Sequence, residues 1–237
     1  MKKLIIQKIF TALVGAALLA LALGMAPTAY SAIILPTTYR GYVQDNGSGD
    51  GANAQNNFLA IQGTYNNWFG FDLSSQAAST ITGAKLYLYN LSAALDGYDG
   101  VSGSGTYTIY DVSPATATSL NSGSSNPGVS AFTDLGSGTS YGSTGYSTAD
   151  NGNYMVIDLN ASGLSDLQSA WGTGFFNMGG AITGTGYVFG YSAFTLPSQT
   201  YLEITGAPAA VPEPGTWAAA ALLVGGASFL RWCKRRV

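Results

Sequence analysis

Histidine is absent from this chain, and its single cysteine, Cys233, stands four residues from the C-terminus. Those two absences remove Ser/His/Asp triads, Cys/His dyads and His- or Cys-ligated metals from the folded part. They also leave it no disulfide to staple an exported domain. Charge is scarce too, at 9% of residues. Of the nine basic residues, Lys2, Lys3 and Lys8 crowd the N-terminus and Arg231, Lys234, Arg235 and Arg236 the C-terminus. Only Arg40 and Lys85 lie between, against eleven acidic residues from Asp45 to Glu203. That balance is the reverse of the basic footprint that phosphate contacts need, so nucleic acid is excluded as a partner.

Apolar side chains are plentiful. Fifteen tyrosines, ten phenylalanines and four tryptophans give the chain material for a core without cystines. Near the N-terminus three lysines precede the uncharged run Ile9 to Met25, and Ala29-Tyr30-Ser31 forms a small-x-small cleavage site. This is the pattern of a secretory signal, with Ala32 as the first mature residue. An uncleaved membrane helix is the plainer alternative, but the run is short and a cleavage site follows it.

The other end holds more information. Gly206-Ala207-Pro208-Ala209-Ala210 reads as a linker, and Val211-Pro212-Glu213-Pro214-Gly215 follows it. An uncharged stretch then runs from Thr216 to Leu230, before the basic tail Arg231, Lys234, Arg235 and Arg236. A helix from Pro214 to Leu230 spans about 25 Å, enough for a bilayer with some thinning and snorkelling. The basic tail stays cytoplasmic by the positive-inside rule, so the preceding domain faces outward. Prolines on both sides of Glu213 fix two φ angles and remove two amide donors, which keeps the tripeptide extended and out of the helix. A plain stop-transfer helix would explain the apolar run and the cations, but not the Pro-Glu-Pro spacing.

Pro212, Glu213 and Pro214, the apolar helix and the basic cluster together resemble the PEP-CTERM sorting domain of Gram-negative bacteria. Tails of this kind also carry the name of a C-terminal domain of ice-binding proteins, a label that describes the tail. The resemblance, confined to residues 211 to 237, implies recognition by exosortase, a membrane-embedded cysteine enzyme. It further implies removal of the helix and delivery to the outer surface or the polysaccharide matrix.

Between the ends the pattern is β. Short apolar or alternating runs occur at Phe58 to Gln62, Trp68 to Phe71, Lys85 to Tyr89, Thr106 to Tyr110, Tyr154 to Leu159, Phe175 to Met178, Tyr187 to Tyr191 and Tyr201 to Thr205. Leu86 and Leu88 fall on one face, and Lys85, Tyr87 and Tyr89 on the other. No helix long enough for βαβ units intervenes. The expected fold is therefore all-β, an antiparallel β-sandwich of jelly-roll type. One short helix is expected within 162–171, where Leu164, Leu167 and Trp171 share a face and Asn160 or Ser162 serves as N-cap. A signal helix and a transmembrane helix complete it. The expected division is 1–31 signal peptide, 32–206 sandwich, 207–215 linker with the motif, and 216–237 transmembrane helix and tail. The body is also similar to a group of PEP-CTERM proteins with an aromatic-FDLS strand, an ITxAxLxLYN strand and a TYxxYDVS strand. The counterparts here are Phe69 to Ser74, Ile81 to Asn90 and Thr106 to Ser113.

Candidate sites in the body are few. Asp45 and Asp50 frame a Gly-rich loop whose oxygens suit calcium, although the spacing is not that of an EF-hand and a solvated turn explains it as well. Asp96 to Gly100 is a similar loop, open to the same two readings. Trp68, Trp171 and the exposed members of fourteen domain tyrosines could stack on sugars, or simply fill the core. Asp72, Asp111 and Asp158 end apolar strand segments and could pair for glycoside hydrolysis, or cap strands. No Thr-x-Thr repeat supports an ice-binding array. The expected function is a non-catalytic surface or matrix protein in adhesion or biofilm. The alternatives are a module that binds exopolysaccharide and, more distantly, a polysaccharide hydrolase.

Overall fold

Strands whose apolar residues recur every second position turn one apolar face inward, and in this chain two antiparallel sheets share a core in that way. A computed structural model describes residues 32–77, 79–92, 100–190 and 192–208. The signal segment, the Pro-Glu-Pro motif, the apolar span, the basic tail and Asp96 to Asp99 lie outside the described residues. No helix among the described residues is long and apolar enough to cross a membrane.

The strands are β1 (Ile33–Pro36), β2 (Tyr39–Gln44), β3 (Ala60–Ile61), β4 (Tyr65–Asp72), β5 (Ser79–Tyr89), β6 (Val101–Ser102), β7 (Ser104–Tyr110), β8 (Ser140–Ser147), β9 (Tyr154–Asp158), β10 (Phe175–Gly184), β11 (Tyr187–Val188) and β12 (Thr200–Pro208). One sheet has four strands in the order β1-β12-β5-β9. The other has eight, in the order β6-β11-β3-β4-β10-β7-β8, with β2 also paired to β4. The fold is mostly β, antiparallel, and curled into a half-barrel.

Leu86 and Leu88 of β5, Met155 and Ile157 of β9, and Leu202 and Ile204 of β12 point inward from the smaller sheet. They meet Phe69 and Phe71 of β4, Tyr107 and Ile109 of β7, and Phe176 and Met178 of β10 in one core. Lys85, Tyr87 and Tyr89 face away, as the alternation predicts. Each of the eight expected β runs contains a strand. The sequence reading missed β1, β2, β6 and β8. In β8, Ser140 to Ser147, glycines and serines hide the pattern, and only Tyr141 and Tyr146 are buried.

Among the described residues of the body there are three α-helices rather than one: α1 (Pro114–Asn121), α2 (Val129–Leu135) and α3 (Ala161–Ala170). The expected helix is α3, with Asn160 as its N-cap. It packs against β5 of one sheet and β8 and β10 of the other, placing Leu167 and Trp171 in the core. The unexpected α1 and α2 are short and rich in Ser and Thr, so no apolar period marks them. Only Thr116 and Leu120 of α1 and Ala131 and Leu135 of α2 are buried. Ser113, whose side chain accepts from the Thr116 amide, and Pro114 behind it are the start signal that went unread. Leu120 and Leu135 join Val43 and Trp68 in a second, smaller core. It covers the face of β4 turned away from Phe69 and Phe71, which is why Asn66 to Phe71 are all buried.

Candidate functional site: a tyrosine face on the four-stranded sheet

Alternation along β5, β9 and β12 sends every second side chain out of the core. On β5 these are Lys85, Tyr87 and Tyr89; on β9, Tyr154, Val156 and Asp158; on β12, Tyr201 and Glu203. Register then sets the neighbours: Lys85 lies opposite Asp158, Tyr87 opposite Val156, and Tyr89 opposite Tyr154. Four tyrosines meet on one surface. Tyr87 and Tyr201 stack with ring centroids 4.6 Å apart and planes 8° from parallel. Tyr154 stands edge-on to Tyr89 at 5.2 Å, to Tyr201 at 5.9 Å and to Tyr87 at 6.1 Å. Such offset and edge contacts hold the rings in place beyond what their area alone provides. Tyr154 is the most exposed of them, at 39%; Val156 adds exposed aliphatic surface on the same strand, and Ile34 on β1, opposite Glu203.

A ring of charge borders the tyrosines. Lys85 Nζ pairs with Asp158 Oδ1 at 3.0 Å. The hydrogen bond to Asp158, then its charge, raise the Lys85 ammonium above the usual lysine value, with a further contribution from Glu203. Partial burial, and then the charge of the Glu203 carboxylate, raise the Tyr87 phenol. Burial, followed by Tyr154, Tyr87 and Glu203, does the same to Tyr201. Burial is the larger cause for the two phenols, and the Asp158 carboxylate, by hydrogen bond and then by charge, the larger cause for Lys85.

The other candidate residues lie elsewhere. Trp68 is fully buried beneath α1 and α2, and Trp171 is 7% exposed with its indole N–H donating to the Ala77 carbonyl at 2.8 Å. Neither presents a ring face to solvent, which corrects the expectation of sugar stacking on these two residues. Burial of large apolar area decided both positions. Their place is taken by tyrosines that the strand alternation had put outside.

Asp45 is exposed and Asp50 half-buried, and burial raises the Asp50 carboxyl. Their loop is packed rather than free, since the Gly49 amide donates to the Ser125 carbonyl and the Gly128 amide to the Gly47 carbonyl, both at 3.0 Å. At Gly47, with φ 88°, a Cβ would sit 2.7 Å from the Val129 amide nitrogen, so the glycine is required by the neighbouring chain. Among the described residues no group of three or more His, Cys, Asp or Glu could hold a metal ion.

The three strand-end carboxylates have separate environments. Asp72 accepts from the Ser74 amide and hydroxyl, which hold it below the usual carboxylate value. Asp111 accepts from the Thr139 amide at 2.6 Å, and Asp158 belongs to the tyrosine face of the other sheet. No family model matches the chain, and no curated protein matches it significantly.

Proposed function

We propose that this chain is an exported, exosortase-processed surface or matrix protein that holds polysaccharide on the outer face of β5, β9 and β12, without catalysis. The binding domain is read as a sandwich of jelly-roll type, carried to the surface by the signal segment and the Pro212-Glu213-Pro214 tail. One observation supports the binding role above all: Tyr87, Tyr89, Tyr154 and Tyr201 form a single cluster open to solvent, bordered by Lys85, Asp158 and Glu203. Tyrosine offers a rigid apolar ring with a polar tip, and it loses little entropy on binding. Sugar rings, apolar on their C–H faces and hydroxylated at their edges, complement such a surface. The strand-end carboxylates serve as turn and pairing groups, which favours binding over hydrolysis.

The direct test is a glycan array on the full chain in mild detergent, comparing it with Tyr154→Ala and Tyr201→Ala. Binding to at least one glycan class, weakened about tenfold or more by either substitution, is expected. Silence across the array would remove the binding role. For export, the intact mass of surface-recovered protein should end before Trp217 in the presence of exosortase. A mature species retaining residues 217 to 237 would remove the processing step.

A further inference from the structure

We infer, resting on the polysaccharide reading above, that the glycan is an amino-sugar polymer carrying free ammonium groups, and that Glu203 with the Tyr87 and Tyr201 rings receives them. Between Lys8 and Arg231 there are two cations, Arg40 and Lys85. Arg40 is fully buried. Its guanidinium donates to the carbonyls of Asn56, Ser192 and Thr195 and to Thr200 Oγ1, and lies 4.9 Å from the centre of the Phe58 ring. Lys85 is paired to Asp158, the one salt bridge among the described residues. No uncommitted cation is left on the described surface to meet the carboxylate, sulfate or phosphate groups of an acidic polysaccharide. Such a polymer would instead meet nine described carboxylates of its own sign.

The tyrosine face has the opposite preference. Glu203 stands two residues along β12 from Tyr201, on the same face of the strand, and its charge reaches Tyr87, Tyr201 and Lys85. No ion pair holds it among the described residues. A carboxylate set among aromatic rings is the chemistry that recognises an ammonium group, through charge on one side and the electron-rich ring faces on the other. A neutral glycan would use the rings and leave that carboxylate without a cation. A hexosamine polymer uses both.

Three 1,4-linked hexamers test this on the full chain in mild detergent: a β-linked N-acetylated glucosamine oligomer, its deacetylated counterpart, and an α-linked oligogalacturonate. The deacetylated oligomer is expected to bind about tenfold more tightly than the acetylated one at low salt, with the gap closing as salt is added. Oligogalacturonate should not bind. Glu203→Gln should bring the ratio of the two affinities near one, whereas Asp45→Asn, which changes net charge equally on a remote loop, should leave the ratio as it was. Equal binding of the neutral and cationic oligomers, or a ratio indifferent to Glu203→Gln, overturns the charge assignment alone, provided Tyr201→Ala still weakens binding. Tightest binding of oligogalacturonate also overturns it. Failure of all three probes overturns the charge assignment, whereas the polysaccharide reading falls only with silence across the glycan array.

Discussion

Arg40 Nη1 lies 2.9 Å from Thr200 Oγ1, so a side chain of β2 in the larger sheet is bonded to the first residue of β12 in the smaller one. Burial lowers the guanidinium from 12.5 to about 10, leaving it charged at neutral pH. No carboxylate is bonded to it, and neutral oxygens supply the compensation. Arg40→Met leaves the carbonyls of Ser192 and Thr195 and the Thr200 hydroxyl without their donor, and should cost about 3–5 kcal/mol. Arg40→Lys keeps the charge but loses the fork, and should recover only part of that loss. Urea unfolding followed by circular dichroism reads both; an Arg40→Met midpoint equal to wild type would refute the staple.

A second prediction concerns the interior of the larger sheet. Tyr107 Oη donates to Asn67 Oδ1 at 2.7 Å, fully buried, directly over Gly180. A Cβ at Gly180 would stand 2.0 Å from the Tyr107 oxygen and 2.3 Å from Asn67 Oδ1. Gly180→Ala must therefore displace a buried hydrogen-bonded pair and should destabilise by about 1–3 kcal/mol through overpacking. Combining it with Tyr107→Phe should recover part of the loss, because the nearest of the clashing atoms is gone. Additive losses in the double mutant would refute the steric account.

The same phenol sets the alkaline limit. Burial raises Tyr107 well above its ordinary value of 10.0, and burial together with the Asp166 carboxylate bonded to its hydroxyl raises Tyr141 similarly. In the unfolded chain both ionise near pH 10, while in the folded protein they retain their protons, so the native state binds more protons above that pH. Stability from these two groups is complete below about pH 10 and is lost as pH rises further. The urea midpoint should be flat through pH 9 with respect to these groups and then fall. Tyr107→Phe should make that fall shallower.

Asn160 performs two tasks at the start of α3. Its Oδ1 accepts from the Gly163 amide at 3.1 Å, and its Nδ2 donates to the Ser140 carbonyl at 2.7 Å, tying the helix to β8. Asn160→Ala should cost about 1–2 kcal/mol, and Asn160→Asp, which keeps the cap and loses the donor, should cost less. Equal losses in the two variants would show that the cap contributes nothing.

Much of this was readable from residue order where the order was local. Lys85 to Tyr89 alternates cleanly, so both the inward leucines and the outward tyrosines were visible, and Asn160 announced α3. Features that depend on distant partners were not. Arg40 reads as a surface charge and is buried because residues 192 to 200 fold over it. Trp68 points away from the main core and would have been an open platform had α1 and α2 not covered that face. The tyrosine cluster lay between these cases: Tyr87 and Tyr89 could be assigned outward individually, yet only the strand order β12-β5-β9 brings Tyr154 and Tyr201 to them.

The position of β12 has a mechanical consequence. This strand contributes Tyr201 and Glu203 to the tyrosine face, pairs with β1 from Ile204 opposite Ile33 to Tyr201 opposite Pro36, and continues covalently toward residue 209 and the tail. A tug on a bound polymer would travel down one strand to whatever anchors the carboxy-terminal side, leaving the larger sheet out of the line of tension. Resistance to such pulling would then rest on the hydrogen bonds that β12 makes with β1 and β5.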